Sequence, residues 1–130
     1  LLSYSNFGSV EGEVPRKMAQ ATALLKERYP GLLVDGEMQA NFALNNELLK
    51  ENFPFSELVG HEANTFIFPD LASANMSYKM LQSFGAAEAI GPVLIGLKKP
   101  VHILQLGSTV REIVNMVTIA VVDAQTRGKQ

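Results

Sequence analysis

The chain has 130 residues, 47% hydrophobic and 18% charged, with a net charge of −2. That is enough apolar material for a buried core and too much for a disordered segment, and the lack of a basic cluster argues against an electrostatic nucleic-acid surface. No cysteine is present, which removes disulfides, thiolate catalysis and cysteine-held metals and fits a reducing cytoplasm.

Leu1–Ser5 alternates apolar and polar side chains and predicts a short strand, with a turn at Asn6-Phe7-Gly8-Ser9. The strand begins abruptly and without a start methionine, so the chain is expected to be part of a longer polypeptide. Pro15 suits a first helical turn, and Val14, Met18, Ala21, Leu25 and Tyr29 recur at helical spacing until Pro30-Gly31. Leu32-Leu33-Val34 reads as a buried strand, and Asp35-Gly36 as the turn toward a helix over about Gln39 to Asn52. Thr65–Phe68 is the next strand, and Asp70 is expected to cap a helix running through Phe84 to Gly85, since a short carboxylate satisfies free N–H groups.

Ala89–Gly96 and Val101–Leu104 read as two strands around the polar turn Lys98-Lys99-Pro100, an antiparallel hairpin. Thr109 and Glu112 have the spacing of a capping box and open a final helix expected to bury Val110, Ile113, Val114, Val117 and Val121. That helix carries Arg111, Glu112 and Asn115 and falls short of a membrane span. Strands alternating with helices predict a single α/β domain, a three-layer sandwich whose mostly parallel sheet carries the antiparallel hairpin.

Two groups of residues are candidate ligand contacts. Asn75, Tyr78, Lys79 and Gln82 stand at i, i+3, i+4 and i+7, which places them on one helix face. Lys79 offers a point charge to an anion and Asn75 and Tyr78 orient it; a solvated face with Tyr78 at the core rim has the same spacing. Ser3, Ser5, Gly8 and Ser9 follow a strand, at the end where open α/β sheets bind ligands, and suit an acyl phosphate or a pantetheine end. An ordinary strand-to-helix turn uses the same residues. Asp35 and Glu37 flank Gly36, but no third ligand is near, so a turn is expected there rather than a metal site. His61 and His102 are unsupported as metal ligands, and His102 reads as a satisfied strand histidine.

The order of several stretches resembles the C-terminal half of the phosphate acetyl/butyryltransferase family. They are Leu2-Ser3-Tyr4-Ser5 with Gly8-Ser9, Val34–Ala40, Ala63-Asn64 with Ile67–Leu71, Asn75, Tyr78-Lys79 and Ile90–Leu97. The resemblance implies an isocitrate/isopropylmalate dehydrogenase-like sandwich, with residues 1–130 as the C-terminal half of a phosphate acetyltransferase-like domain. Gln105 and Leu106 stand where the family carries a serine and a reactive arginine, and Asn41 and Glu112 replace two aspartates. Glu112 matches a position able to transfer protons, yet capping is its expected role.

The tail, with Pro100-Val101-His102, Arg111–Met116 and Ala120–Gln125, is similar to the end of large bacterial NADP-dependent malic enzymes. This implies a domain without catalytic residues that promotes a homodimer within a larger homo-oligomer. It also implies acetyl-CoA or a related acyl-CoA as allosteric effector, with Ser5, Ser9, Asn75, Tyr78, Lys79 and Gln105 as contacts. Upstream malic enzyme domains would oxidatively decarboxylate malate to pyruvate in the cytoplasm, holding NADP and a divalent metal (Mg or Mn). No cofactor or metal site is expected within these residues, since Gly91–Gly96 lacks the spacing of a dinucleotide loop. Two alternatives stand: an active phosphate acetyltransferase, and a purely structural scaffold in which Val114, Ala120 and Val122 pack against a second subunit.

Overall fold

The computed structural model describes residues 1–85 and 89–127. The chain forms two compact units, Leu1–Met80 and the residues from Leu81 onward.

In the first unit the extended segments are tied side by side. Leu2 and Met38 form an isolated parallel bridge. Ser3 N donates to Met38 O at 2.9 Å, Met38 N to Leu1 O at 3.2 Å, and Leu2 N to Ile67 O at 2.8 Å on the other side. Residues 1–3 therefore lie between the 35–38 segment and Ile67. Beyond this bridge the described residues show no strand ladder. Pairs of isolated strands are marginal on their own, and each unit contains few extended segments.

Helix α1 (Glu13–Arg28) turns Pro15, Met18 and Thr22 inward, and Leu2, Met18, Met38 and Leu49 are the buried hydrophobic residues of this unit. The helix expected over 39–52 is split into α2 (Ala40–Leu44) and α3 (Asn46–Asn52). Asn45 makes the break: its backbone is extended, and its side chain accepts from Leu48 N at 3.0 Å as the cap of α3. Helix α4 (Leu71–Phe84) ends at Gly85, whose φ is 66°, as the sequence predicts.

Asp35 holds α1 and the loop after α3 to the extended segments. Its carboxylate accepts from Lys26 Nζ at 3.0 Å, Ser56 Oγ at 2.7 Å and Glu57 N at 3.0 Å. Burial on its own raises the Asp35 pKa, but the Ser56 hydroxyl, the Lys26 ammonium and the Gly36 N–H together hold it below the usual value. A group depressed in this way stabilises the fold fully above its unfolded pKa of about 3.9, and that stabilisation is lost as pH falls through the lower folded value. Urea midpoints are therefore expected to drop below about pH 4, and to drop less steeply in Asp35→Asn; equal slopes in the two proteins would contradict this role.

In the second unit α5 (Val110–Arg127) buries Met116. The helix does not bury the apolar residues expected of it: Val110, Ile113, Val114, Val117 and Val121 are all exposed, Val110 at 78%. The described part of this unit offers one further helix turn and two extended stretches, too little to cover a helix that is apolar on more than one side. The two stretches expected to form a hairpin are linked by a side chain, with Leu94 N donating to His102 Nδ1 at 3.3 Å. That bond fixes the His102 proton on Nε2, and Nε2 is buried without a partner among the described residues. His102 is thus only half satisfied, contrary to expectation. No described helix is long and apolar enough to cross a membrane.

Candidate functional site: the Ser5–Gly12 turn and the α4 face

The turn after the first extended segment is built around a buried acid. Glu37 is 2% exposed and Ser5 0%. Glu37 Oε1 accepts from Ser5 Oγ at 2.8 Å and from Gly8 N at 2.7 Å, while its backbone oxygen accepts from Phe7 N at 2.8 Å. Ser5 Oγ also accepts from Val10 N at 3.0 Å and lies 3.4 Å from Ser9 Oγ. Asn6 closes the other side, its Oδ1 accepting from Gln39 N at 2.8 Å. The turn is tight enough to hold Phe7 at a φ of 48°, a conformation that bulky side chains avoid.

Residues two apart share a face in a regular strand, but the turn at Gly36, with a φ of 135°, sends Asp35 and Glu37 to different partners. Asp35 faces Lys26 and Ser56, and Glu37 faces Ser5. Sequence reasoning nevertheless missed Glu37, having left it to a turn. The available signal was an acid three residues past the predicted buried strand Leu32–Val34. Ser5 and Ser9 are brought together as expected, but only Ser9 lies at the surface. Ser5 leaves a ligand nothing to touch here.

On α4, Asp70 caps the first turn: its Oδ1 accepts from Ser73 N at 2.8 Å, a bond that holds the carboxyl below the usual range. A carboxylate thus already occupies the anion position at this helix start. Tyr78 and Lys79 follow two turns later, with Lys79 Nζ 5.2 Å from the Tyr78 ring centroid, a cation–π contact. Asn75 and Lys79 are exposed and Tyr78 is half-buried.

Gln105 and Leu106 belong to the second unit. The Gln105 carbonyl accepts from Ser108 N at 3.1 Å and Ser108 Oγ at 2.9 Å, closing a turn. Gly107 takes a φ of 90° at its third position, where positive φ favours glycine. Leu106 stands at the tip of that turn, fully exposed. The capping box forms: Thr109 N donates to Glu112 Oε2 at 2.7 Å, and Glu112 N to Thr109 Oγ1 at 3.2 Å. Among the described residues no three His, Asp or Glu side chains come together as a metal site would require.

The profile of the phosphate acetyl/butaryl transferase family matches residues 1–121. The chain belongs to that family. It is 44% identical over 125 residues to the NADP-dependent malic enzyme of Haemophilus influenzae, covering 96% of this chain and 16% of that protein. It is 41% identical over 125 residues to the phosphate acetyltransferase of Clostridium acetobutylicum, covering 96% of this chain and 37% of that protein. Among solved structures it is similar to the EutD phosphotransacetylase from Staphylococcus aureus, at 33% identity and a TM-score of 0.83 over 95% of this chain and 38% of that one. The chain therefore spans about a sixth of the malic enzyme and over a third of the transferases. It is a region of the phosphate acetyltransferase fold that occurs both in malic enzymes and in dedicated phosphate acetyltransferases.

Proposed function

We propose that this chain is the C-terminal half of a phosphate acetyltransferase-like domain in a cytoplasmic NADP-dependent malic enzyme, and that it regulates the enzyme instead of transferring acetyl groups. Acetyl-CoA, or a related acyl-CoA, is the effector. The observation that carries this reading is Leu106, a fully exposed leucine at the tip of the turn before α5, where the family resemblance puts a reactive arginine. An aliphatic side chain cannot stabilise charge developing on a phosphoryl group. The three-layer α/β sandwich is part of the proposal; its support is the parallel bridge of Leu2 with Met38.

The effector contacts proposed in the first unit are Ser9, Asn75, Tyr78 and Lys79, with Ser5 acting from behind Ser9. Lys79 supplies charge to a phosphate of the coenzyme, and its contact with the Tyr78 ring holds the ammonium in place. NADP and Mg or Mn would belong to the malic enzyme domains outside this chain. For the effector to inhibit, it must favour one conformational state of the enzyme. Titrating the full chain with acetyl-CoA while following malate oxidation is expected to show inhibition, about tenfold weaker in Lys79→Ala.

A second reading, an oligomerisation scaffold without a ligand, is favoured by one observation: Val114 and Val122 on α5 are more than half exposed. An apolar helix of this kind needs cover, and we place a second subunit there, giving a homodimer within a larger assembly. No response to millimolar acetyl-CoA, in a protein that still sediments as a dimer or larger, would sink the effector reading and leave the scaffold.

A further inference from the structure

His102 ties the two extended stretches of the second unit together, and its ring can do so in only one charge state. Leu94 N donates to Nδ1 at 3.3 Å, so Nδ1 presents a lone pair and the ring is neutral. Its proton sits on Nε2, which is buried and has no partner among the described residues. A second proton would have to enter at Nδ1. There it would set one N–H against another and cost the bond to Leu94, while Nε2–H finds no acceptor in compensation. No strand ladder joins residues 89–97 to 101–104 among the described residues, so no ladder stands in for the lost bond.

The ring has somewhere else to go. His102 lines a cavity of about 440 Å³ with residues 93–95 and with Thr118, Asp123 and Thr126 of α5. Both threonine hydroxyls give their protons to the helix, Thr118 to Val114 O at 2.8 Å and Thr126 to Val122 O at 2.7 Å. The cavity wall is left with oxygen lone pairs and a carboxylate, which suit a cation. Asp123 is the one charged side chain along this wall. Val93, Leu94 and Ile95 from the first stretch bring no titratable group, nor do Val101, Ile103 and Leu104 beside His102.

We propose that His102 is a proton-sensitive latch. Neutral, it holds Leu94. Protonated, it releases Leu94 and turns its imidazolium to Asp123, which loosens residues 93–95 from the stretch that leads into the Gln105–Ser108 turn and α5. Imidazoles change charge between about pH 5 and 8. The second unit therefore loosens well above the pH, about 4, below which Asp35 loses its hold on the first. The latch acts whether this domain binds an effector or serves only as a scaffold.

Amide hydrogen exchange of the full chain tests this, read as protection factors in peptides spanning residues 93–104. Protection is expected to fall about tenfold between about pH 7.5 and 5.5, while peptides around Asp35 and Met38 keep theirs. The side-chain oxygen of His102→Gln can still accept from Leu94 but takes up no proton, so its protection is expected to be the same at both pH values. If His102→Gln does not fold, Asp123→Asn serves in its place. Its midpoint is expected to move to lower pH, because the imidazolium loses its counter-charge. Equal protection of residues 93–104 at the two pH values in the wild type overturns the proposal. So does a fall of the same size in His102→Gln, an equal fall in the first unit, or a midpoint unmoved by Asp123→Asn.

Discussion

Gly36→Ala is expected to destabilise the first unit by about 3 kcal/mol or more. Gly36 has a φ of +135°, and a Cβ built there lies 2.5 Å from the Leu1 carbonyl oxygen. That oxygen accepts from Met38 N, so it cannot retreat without opening the pairing of residues 1–3 with 35–38. Gly36 also lies between the two acids that organise the unit, Asp35 before it and Glu37 after it. Gly8→Ala is the control. Its φ is +85°, but a Cβ there meets nothing within 4 Å, so only the backbone preference is lost, about 1–2 kcal/mol. Urea denaturation of both variants separates the effects. Equal losses would mean that conformation alone matters and the close approach to Leu1 does not.

The helices were largely legible in the sequence because their signals are local. Asp70 and Gly85 bound α4, and Thr109 with Glu112 opens α5, since a cap needs only residues three or four apart. Asn45 was not recognised as a break, although asparagine competes for backbone N–H groups and here it caps α3. The strands were harder to place. Alternation marks an extended segment but not its partner, and the partners of Leu2 are 36 and 65 residues away, at Met38 and Ile67.

Burial in α5 was misread for a related reason. Apolar periodicity predicts that a helix face requires cover, and Val110 shows that the requirement is not met within the described residues. The hydroxyl-rich turn at Ser5–Ser9 was legible as a site. Its organiser, Glu37, was not, because the hydrogen bond from Ser5 spans 32 residues. The position of Leu106 was legible only through the family resemblance; the structure adds that a glycine-dependent turn presents it to solvent.

The second large effect expected is the loss of acetyl transfer. In that reaction the CoA thiolate attacks the acetyl carbon of acetyl phosphate, and negative charge must be stabilised on the departing phosphate. Loss of one well-placed charge-stabilising group commonly lowers a rate about 10²–10³-fold. Here Leu106 lacks any polar atom, and the neighbouring Gln105 has its carbonyl engaged by Ser108. Arg111 does not replace the missing group from its own position, since it sits within the first turns of α5, five residues beyond Leu106. Glu112 is held by Thr109 in the capping box.

The most direct measurement supplies acetyl phosphate and CoA to the purified full chain and follows thioester formation by its ultraviolet absorbance, beside a dedicated phosphate acetyltransferase. The expected turnover is at least about 10²–10³-fold below that of the dedicated enzyme, in a preparation whose malate oxidation still responds to acetyl-CoA. Turnover equal to the dedicated enzyme would contradict the account, because Leu106 would then stand in a working transferase.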